Sequence, residues 1–104
     1  MGFGLGMETE KLQERAVNGR YMKVAVGCWF TSTGKAIPKM VKYEDEEKLQ
    51  HTLNRIEVLK SDKKHYAGIY SQRYDCCVVE AGVRRYFTLL YHPGDNTWDM
   101  VISQ

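Results

Sequence analysis

Three segments of alternating apolar and polar residues fill the last third of the chain and constrain its fold more than any other feature. Two short links that contain glycine or proline, residues 81–82 and 93–96, separate them. The segments are YSQRYDCCVVE (70–80), VRRYFTLLYH (83–92) and TWDMVIS (97–103). Alternation with a period of two is typical of half-buried strands, and short turns join antiparallel neighbours. The pattern predicts a three-stranded antiparallel meander, with a type II turn at Pro93 and Gly94.

A fourth alternating segment, YMKVAVGCWF, spans residues 21–30 and predicts the first strand. One set of its residues forms the expected core face: Met22, Val24, Val26, Cys28 and Phe30. Trp29 belongs to the opposite set, so we expect its side chain to point outward.

The stretch TSTGK after this strand contains Gly34 and Lys35, a pair that also occurs in phosphate-binding loops. Such a loop needs an earlier glycine, where this chain has Trp29, and a hydroxyl residue after the lysine, where it has Ala36. A hairpin turn with Gly34 in the left-handed region fits better, because glycine enters that region without steric cost. The stretch therefore predicts a turn and not a ligand site.

The return strand over residues 35–44 contains Pro38, which donates no backbone hydrogen bond, so we expect a sheet edge or a bulge there. Residues 46–60 combine leucines at helical spacing with the strand-like alternation of RIEVL. We divide this segment into a turn or helical turn and a strand over about residues 52–59. A polar loop over residues 60–68 is expected to follow.

The first part of the chain predicts a mobile segment, residues 1–20, with a short helix over residues 8–18. Residues 21–104 then form one small domain, since 43% hydrophobic and 27% charged residues are ordinary for a folded soluble unit. Five or six short strands close most economically as a small antiparallel barrel or rolled sheet, because closure removes unpaired edges. The expected fold class is mainly β, either all-β or α+β.

Several short motifs follow one another in order over roughly Lys42 to Ile102: VKYED, RIEVL, YAG, RYDCCV, RRYFTLLYH and TWDMVI. In this order the chain resembles a group of small, uncharacterised bacterial proteins with a compact all-β domain. The resemblance implies the β fold. Because the group has no established activity, the resemblance implies no catalytic residue.

The sequence contains no residue set with the spacing of a metal site or the pattern of a catalytic nucleophile. The adjacent Cys76 and Cys77 point to opposite faces of a strand, so they cannot hold one ion without distortion. One thiol is expected to be buried and the other partly exposed. The histidines show no paired spacing: His51, His65 and His92. We therefore predict a non-enzymatic protein with no metal or cofactor.

The first candidate surface is a protein-binding edge that combines an outward tryptophan with lysines. Its residues are Trp29, Lys35, Pro38 and Lys39. Partner proteins add a strand to such an edge or lay a peptide across exposed rings, which favours a protein-interaction or accessory module. The lysines have a second interpretation, because lysines on an edge strand also prevent aggregation.

The second candidate surface would bind single-stranded nucleic acid. It consists of tyrosines and arginines in or beside the meander: Tyr66, Tyr70, Arg73, Tyr74, Arg84 and Tyr86. Small β-barrels stack bases on such rings while cations follow the phosphate backbone. The formal net charge is only +2, which makes nucleic acid the alternative and protein the preferred partner.

The start of the chain, MGFGLGMETEK, lacks the basic residues and the long apolar run of a signal peptide. No segment approaches the ~18 apolar residues that a membrane-spanning helix needs. The sequence therefore predicts a cytoplasmic protein without membrane association.

Overall fold

The structure, a computed structural model, describes residues 19–102 of the 104-residue chain. In this range the chain forms seven strands and no helix. The strands are β1 (Arg20–Phe30), β2 (Ala36–Glu44), β3 (Gln50–Leu53), β4 (Glu57–Tyr66), β5 (Ile69–Glu80), β6 (Val83–His92) and β7 (Thr97–Ile102). All neighbours pair antiparallel in one sheet of order β3-β2-β1-β7-β6-β5-β4. The helix expected over residues 8–18 lies outside the described residues.

The sheet curls into a half barrel whose inner face holds the core. The mainly β class and the rolled antiparallel sheet are therefore confirmed, but the described strands number seven and not five or six. β3 and β4 are consecutive along the chain and yet lie at opposite ends of the sheet order. Only residues 54–56 link β3 to β4, so the two ends of the sheet must lie close together. The sheet curls to bring them together, and the line between them is a seam.

The β1–β2 hairpin forms as the sequence predicts. The Thr31 N–H donates to the Lys35 carbonyl at 2.9 Å, and the Gly34 N–H donates to the Thr31 carbonyl at 2.8 Å. Gly34 has φ 87°, in the left-handed region that glycine enters without a Cβ clash. Gly34 and Lys35 therefore turn the chain between two strands.

Pro38 lies at a bulge, on a part of β2 that pairs on one side only. Gly27 pairs with Met40 and Cys28 pairs with Pro38, so Lys39 is an extra residue on β2 and the predicted bulge is confirmed. β2 lies between β1 and β3 in the sheet, but β3 pairs only with its second half, Val41 to Glu44. Residues 36–40 of β2 therefore form a local edge of the described sheet.

The segment from residue 50 to residue 68 differs most from its prediction. The expected strand over residues 52–59 is interrupted at Arg55, which has φ 57°. The expected polar loop over residues 60–68 is wrong, since all but its last residues belong to β4 and pair with β5. Only Ala67 and Gly68, with φ 52° and 82°, form the turn. β4 carries polar residues on both faces because it lies at the end of the sheet, where neither face is fully covered.

The meander of β5, β6 and β7 is confirmed, with Ala81 and Gly82 as the first turn. The type II turn at the second link is wrong, because positive φ occurs at Asn96 (57°) and not at Gly94. The Asp95 N–H donates to the His92 carbonyl at 3.3 Å, so this turn has the negative torsions of a type I turn at its centre.

The core lies on the inner face of the curled sheet. Its buried members include Val41, Leu53, Tyr74, Cys76, Phe87, Leu89, Trp98 and Met100. Met22, Val24, Val26 and Cys28 of β1 pack against this cluster, which confirms the predicted core face of that strand. Phe30 is the exception to the predicted core face: it is 58% exposed, and its ring contacts Tyr91 edge-on at a centroid distance of 6.4 Å.

Candidate functional site

A cleft of about 1090 Å³ lies where the two ends of the curled sheet approach each other. One wall is β2 at Lys39 and Met40, beside Trp29 of β1, and the other wall is the end of β5, residues 77–80. The link between β3 and β4 crosses the cleft at Arg55. We call this feature the seam cleft, because it marks the line along which the half barrel does not close.

The β5 wall of the seam cleft contains an open strand edge. β4 begins at Glu57, which pairs with Cys77, so β5 has no ladder partner on this side beyond Cys77 in the described structure. Glu80 and Val83 flank a two-residue turn and form a hydrogen-bonded pair. Hydrogen-bonding direction alternates along an antiparallel strand. The N–H and carbonyl of Val79 therefore point away from β6 and into the cleft.

The β2 wall, in contrast, has little backbone left to pair. The Tyr74 hydroxyl reaches across the interior and donates to the Ala36 carbonyl. Pro38 has no N–H, and the Lys39 carbonyl accepts from the Ile56 N–H at 3.3 Å. Any strand that entered the cleft would therefore pair with β5 and not with β2.

Exposed apolar side chains flank the cleft on both walls. Trp29 is 71% exposed, since the alternation of β1 directs it outward, and Val79 is 60% exposed. Met40, on the β2 wall, packs against Gly27 of β1, where an added Cβ would approach the Met40 Cε to 3.4 Å. Tryptophan has a large apolar surface that is costly to leave in water, so its exposure beside an open strand edge is typical of a binding surface.

Burial disfavours the charged form of two of the three thiols. Burial raises the pKa of Cys76 to about 12, with a smaller contribution from Asp75, and burial also raises the pKa of Cys28. Cys77 is only 2% exposed, which corrects the expectation that one of the adjacent thiols would be partly exposed. Its Sγ lies 3.6 Å from a Glu57 carboxylate oxygen and 3.6 Å from a guanidinium nitrogen of Arg84. These polar neighbours cover the thiol.

The predicted protein-binding residues occupy different environments. Trp29 and Lys39 line the seam cleft, as neighbours of the open edge. Lys35 is exposed in the β1–β2 turn, and Pro38 is buried beneath the bulge. Sequence reasoning missed Val79, although the alternation in CCVVE already placed it opposite the buried Val78.

The predicted nucleic-acid residues are divided between the two faces of the sheet. Strand alternation and pairing place Arg73, Arg84 and Tyr86 on the outer face. Tyr70 and Tyr74 belong to the inner face, where Tyr74 is 2% exposed and burial raises its pKa to about 12. Tyr66 is the last residue of β4, and its backbone pairs with Ile69. The structure therefore does not bring the six residues onto one surface.

Comparison with known proteins finds no matching family model, no matching curated protein and no matching solved structure. The resemblance to small bacterial all-β proteins stays an expectation. Between residues 19 and 102 the chain has no group of three or more His, Cys, Asp or Glu residues placed to hold a metal ion. None of the described residues form a helix long and apolar enough to cross a membrane.

Proposed function

We propose that this chain is a protein-interaction module whose seam cleft accepts an extended segment of a partner protein. The observation that carries the proposal is the open N–H and carbonyl of Val79, which lie in the same cleft as the 71% exposed Trp29. An added strand gains main-chain hydrogen bonds from such an edge, and side-chain contacts supply its specificity. The role needs no catalytic group.

Trp29 is expected to supply most of the binding energy. A tryptophan side chain buries roughly 150–250 Å² when it is covered, and most of that area is in solvent here. At about 25 cal/mol per Å², covering the ring is worth about 3 kcal/mol before the entropic cost of association. Tryptophan is accordingly among the residues most often found as binding hot spots.

Single-stranded nucleic acid is the less supported partner. Stacking needs rings and cations that follow one groove, whereas Tyr74 is buried and Tyr70 lies on the opposite face from Arg73 and Arg84. The two proposals depend on different residues. Trp29 and Val79 matter for binding a protein segment, but neither belongs to the tyrosines and arginines proposed to bind nucleic acid.

Trp29→Ala is expected to weaken peptide binding by at least ~10-fold. Random displayed peptides are selected on the immobilised protein, and the recovered peptides are synthesised and titrated against the wild-type and variant chains by isothermal calorimetry. Removal of the ring deletes the exposed apolar anchor of the cleft, and the fold should tolerate the change because Trp29 is mostly in solvent.

Ile69→Ala is the matched control. Ile69 is 63% exposed, like Trp29, but lies ten residues from Val79 along β5, which is about 33 Å in an extended strand. Peptides should bind Ile69→Ala as tightly as they bind the wild type. Failure to recover any peptide, or equal binding by Trp29→Ala and the wild type, would remove the basis of the proposal.

A further inference from the structure

We infer that the segment bound in the seam cleft is acidic, an inference that rests on the proposed function. The observation behind it is a set of three cations in or beside the cleft, two on β2 and one on the link between β3 and β4. Lys39 and Arg55 line the cleft directly, and Lys42 borders it next to Thr52, with which it pairs. All three cations are exposed, so a bound segment can reach them.

These three cations have no acidic partner within the described structure. The ion pairs in residues 19–102 involve other bases: Arg20, Lys23, His51, Lys60, Arg73, Arg85 and His92. On the opposite wall, Glu80 is already engaged by Arg85 at 3.0 Å. Glu57 is the one carboxylate of the cleft lining outside those pairs, and its oxygen accepts from the Cys77 thiol. The uncompensated charge of the cleft is therefore positive.

Protection of a strand edge accounts for only one of these cations. Lysines on an exposed edge prevent pairing between molecules, and Lys39 lies on the part of β2 that β3 does not cover. Lys42, in contrast, lies where β2 pairs with β3, and Arg55 lies in the link between β3 and β4, so neither guards a free edge. Charge complementarity with a ligand gives all three cations a role.

An extended segment paired with β5 would present alternate side chains to these cations. Side chains on one face of a strand recur every second residue, so carboxylates at alternate positions could meet Lys39 and Arg55 in turn. Hydrogen bonds between a charged donor and a carboxylate are stronger than neutral ones, and a guanidinium can hold a carboxylate with two of them. Aspartate or glutamate alternating with apolar residues is the composition that fits the cleft.

The test uses two short synthetic peptides in which valine alternates with glutamate or with lysine. Each carries a fluorescent label, and its dissociation constant is measured by anisotropy at low and at moderate salt. We expect the glutamate peptide to bind at least ~10-fold more tightly than the lysine peptide at low salt, with an advantage that shrinks as salt screens the charges.

The double variant Lys39→Glu, Arg55→Glu should abolish the advantage of the glutamate peptide. The double variant Lys63→Glu, Lys64→Glu makes the same change in net charge on β4 and should keep it.

Each other outcome overturns the inference. Equal binding of the two peptides, tighter binding of the lysine peptide, or binding of neither removes the case for an acidic ligand. The peptide selection with Trp29→Ala separately decides the proposed function, so failure of the acidic-ligand inference can be told apart from failure of the proposed function. A single-stranded oligothymidylate that binds more tightly than the glutamate peptide, and loses binding in Lys39→Glu, Arg55→Glu, would assign the cations to nucleic acid instead.

Discussion

Leu89→Ala is expected to lower the free energy of unfolding by about 3 to 5 kcal/mol, because it leaves a cavity at the centre of the core. Leu89 has no exposed surface and lies in the middle of β6, paired with Tyr74 on one side and Met100 on the other. Domains of this size have total stabilities of about 5 to 15 kcal/mol, so the variant should be close to unfolding. Urea unfolding followed by tryptophan fluorescence measures the change.

Leu49→Ala removes the same atoms from a position that is 57% exposed, in the turn between β2 and β3. We expect this control to change stability by less than about 0.5 kcal/mol, as surface substitutions generally do. Equal losses in the two variants would contradict the assignment of the inner face of β6 to the core.

The protein is expected to lose stability steeply between pH 9 and pH 12. Cys76 has its pKa raised by burial from 9.0 to about 12, and Tyr74 has its pKa raised by burial from 10.0 to about 12. Above its ordinary pKa each group ionises in the unfolded chain while it stays protonated in the folded one, so rising pH favours unfolding. At about 1.4 kcal/mol per pH unit, Cys76 alone accounts for a loss on the order of 4 kcal/mol.

Variants without these groups should show a flatter pH profile. Cys76→Ala removes one ionisation, and Tyr74→Phe removes the other together with the hydrogen bond to the Ala36 carbonyl. Tyr74→Phe should therefore be less stable than the wild type at pH 7, by about 1 to 3 kcal/mol, and yet lose less between pH 10 and pH 12. Urea unfolding at a series of pH values gives the profiles. If the wild type and both variants lost stability in parallel as the pH rose, burial would not be raising the pKa of either group.

The fold was predictable from sequence where one face of a strand is buried and the other is in water. β1 and the first parts of β5 and β7 meet that condition, and their alternation placed them correctly. β6 was predicted from the alternation of its sequence and the turns on both sides, although Phe87, Thr88 and Leu89 are all buried in the structure. β4 does not, because it ends the sheet and carries Lys60, Lys63 and Lys64 among mostly polar neighbours. Its strand is specified by pairing with β5, a long-range contact that leaves no periodic signal in its own residues.

The candidate site was predictable only in part. The outward direction of Trp29 follows from alternation along β1, and its exposure agrees with that prediction. The open edge at Val79 depends on where β4 begins, and that boundary is set by the turn at Arg55. An arginine with positive φ is uncommon, so nothing in the local sequence indicated a break there. The sequence therefore indicated the edge at Pro38 but not the open edge of β5 on the other wall of the cleft.

Amide hydrogen exchange at Val79, measured by NMR, tests most directly whether the end of β5 is left unpaired along the seam cleft. Val78 is the internal reference, because its N–H is directed toward β6, where it pairs with Arg85. We expect the Val79 amide to exchange at least ~100-fold faster than the Val78 amide, since the Val79 N–H faces solvent in the seam cleft. Equal protection of the two amides would contradict the claim, because it would mean that β5 is covered along this edge and offers no backbone to a partner.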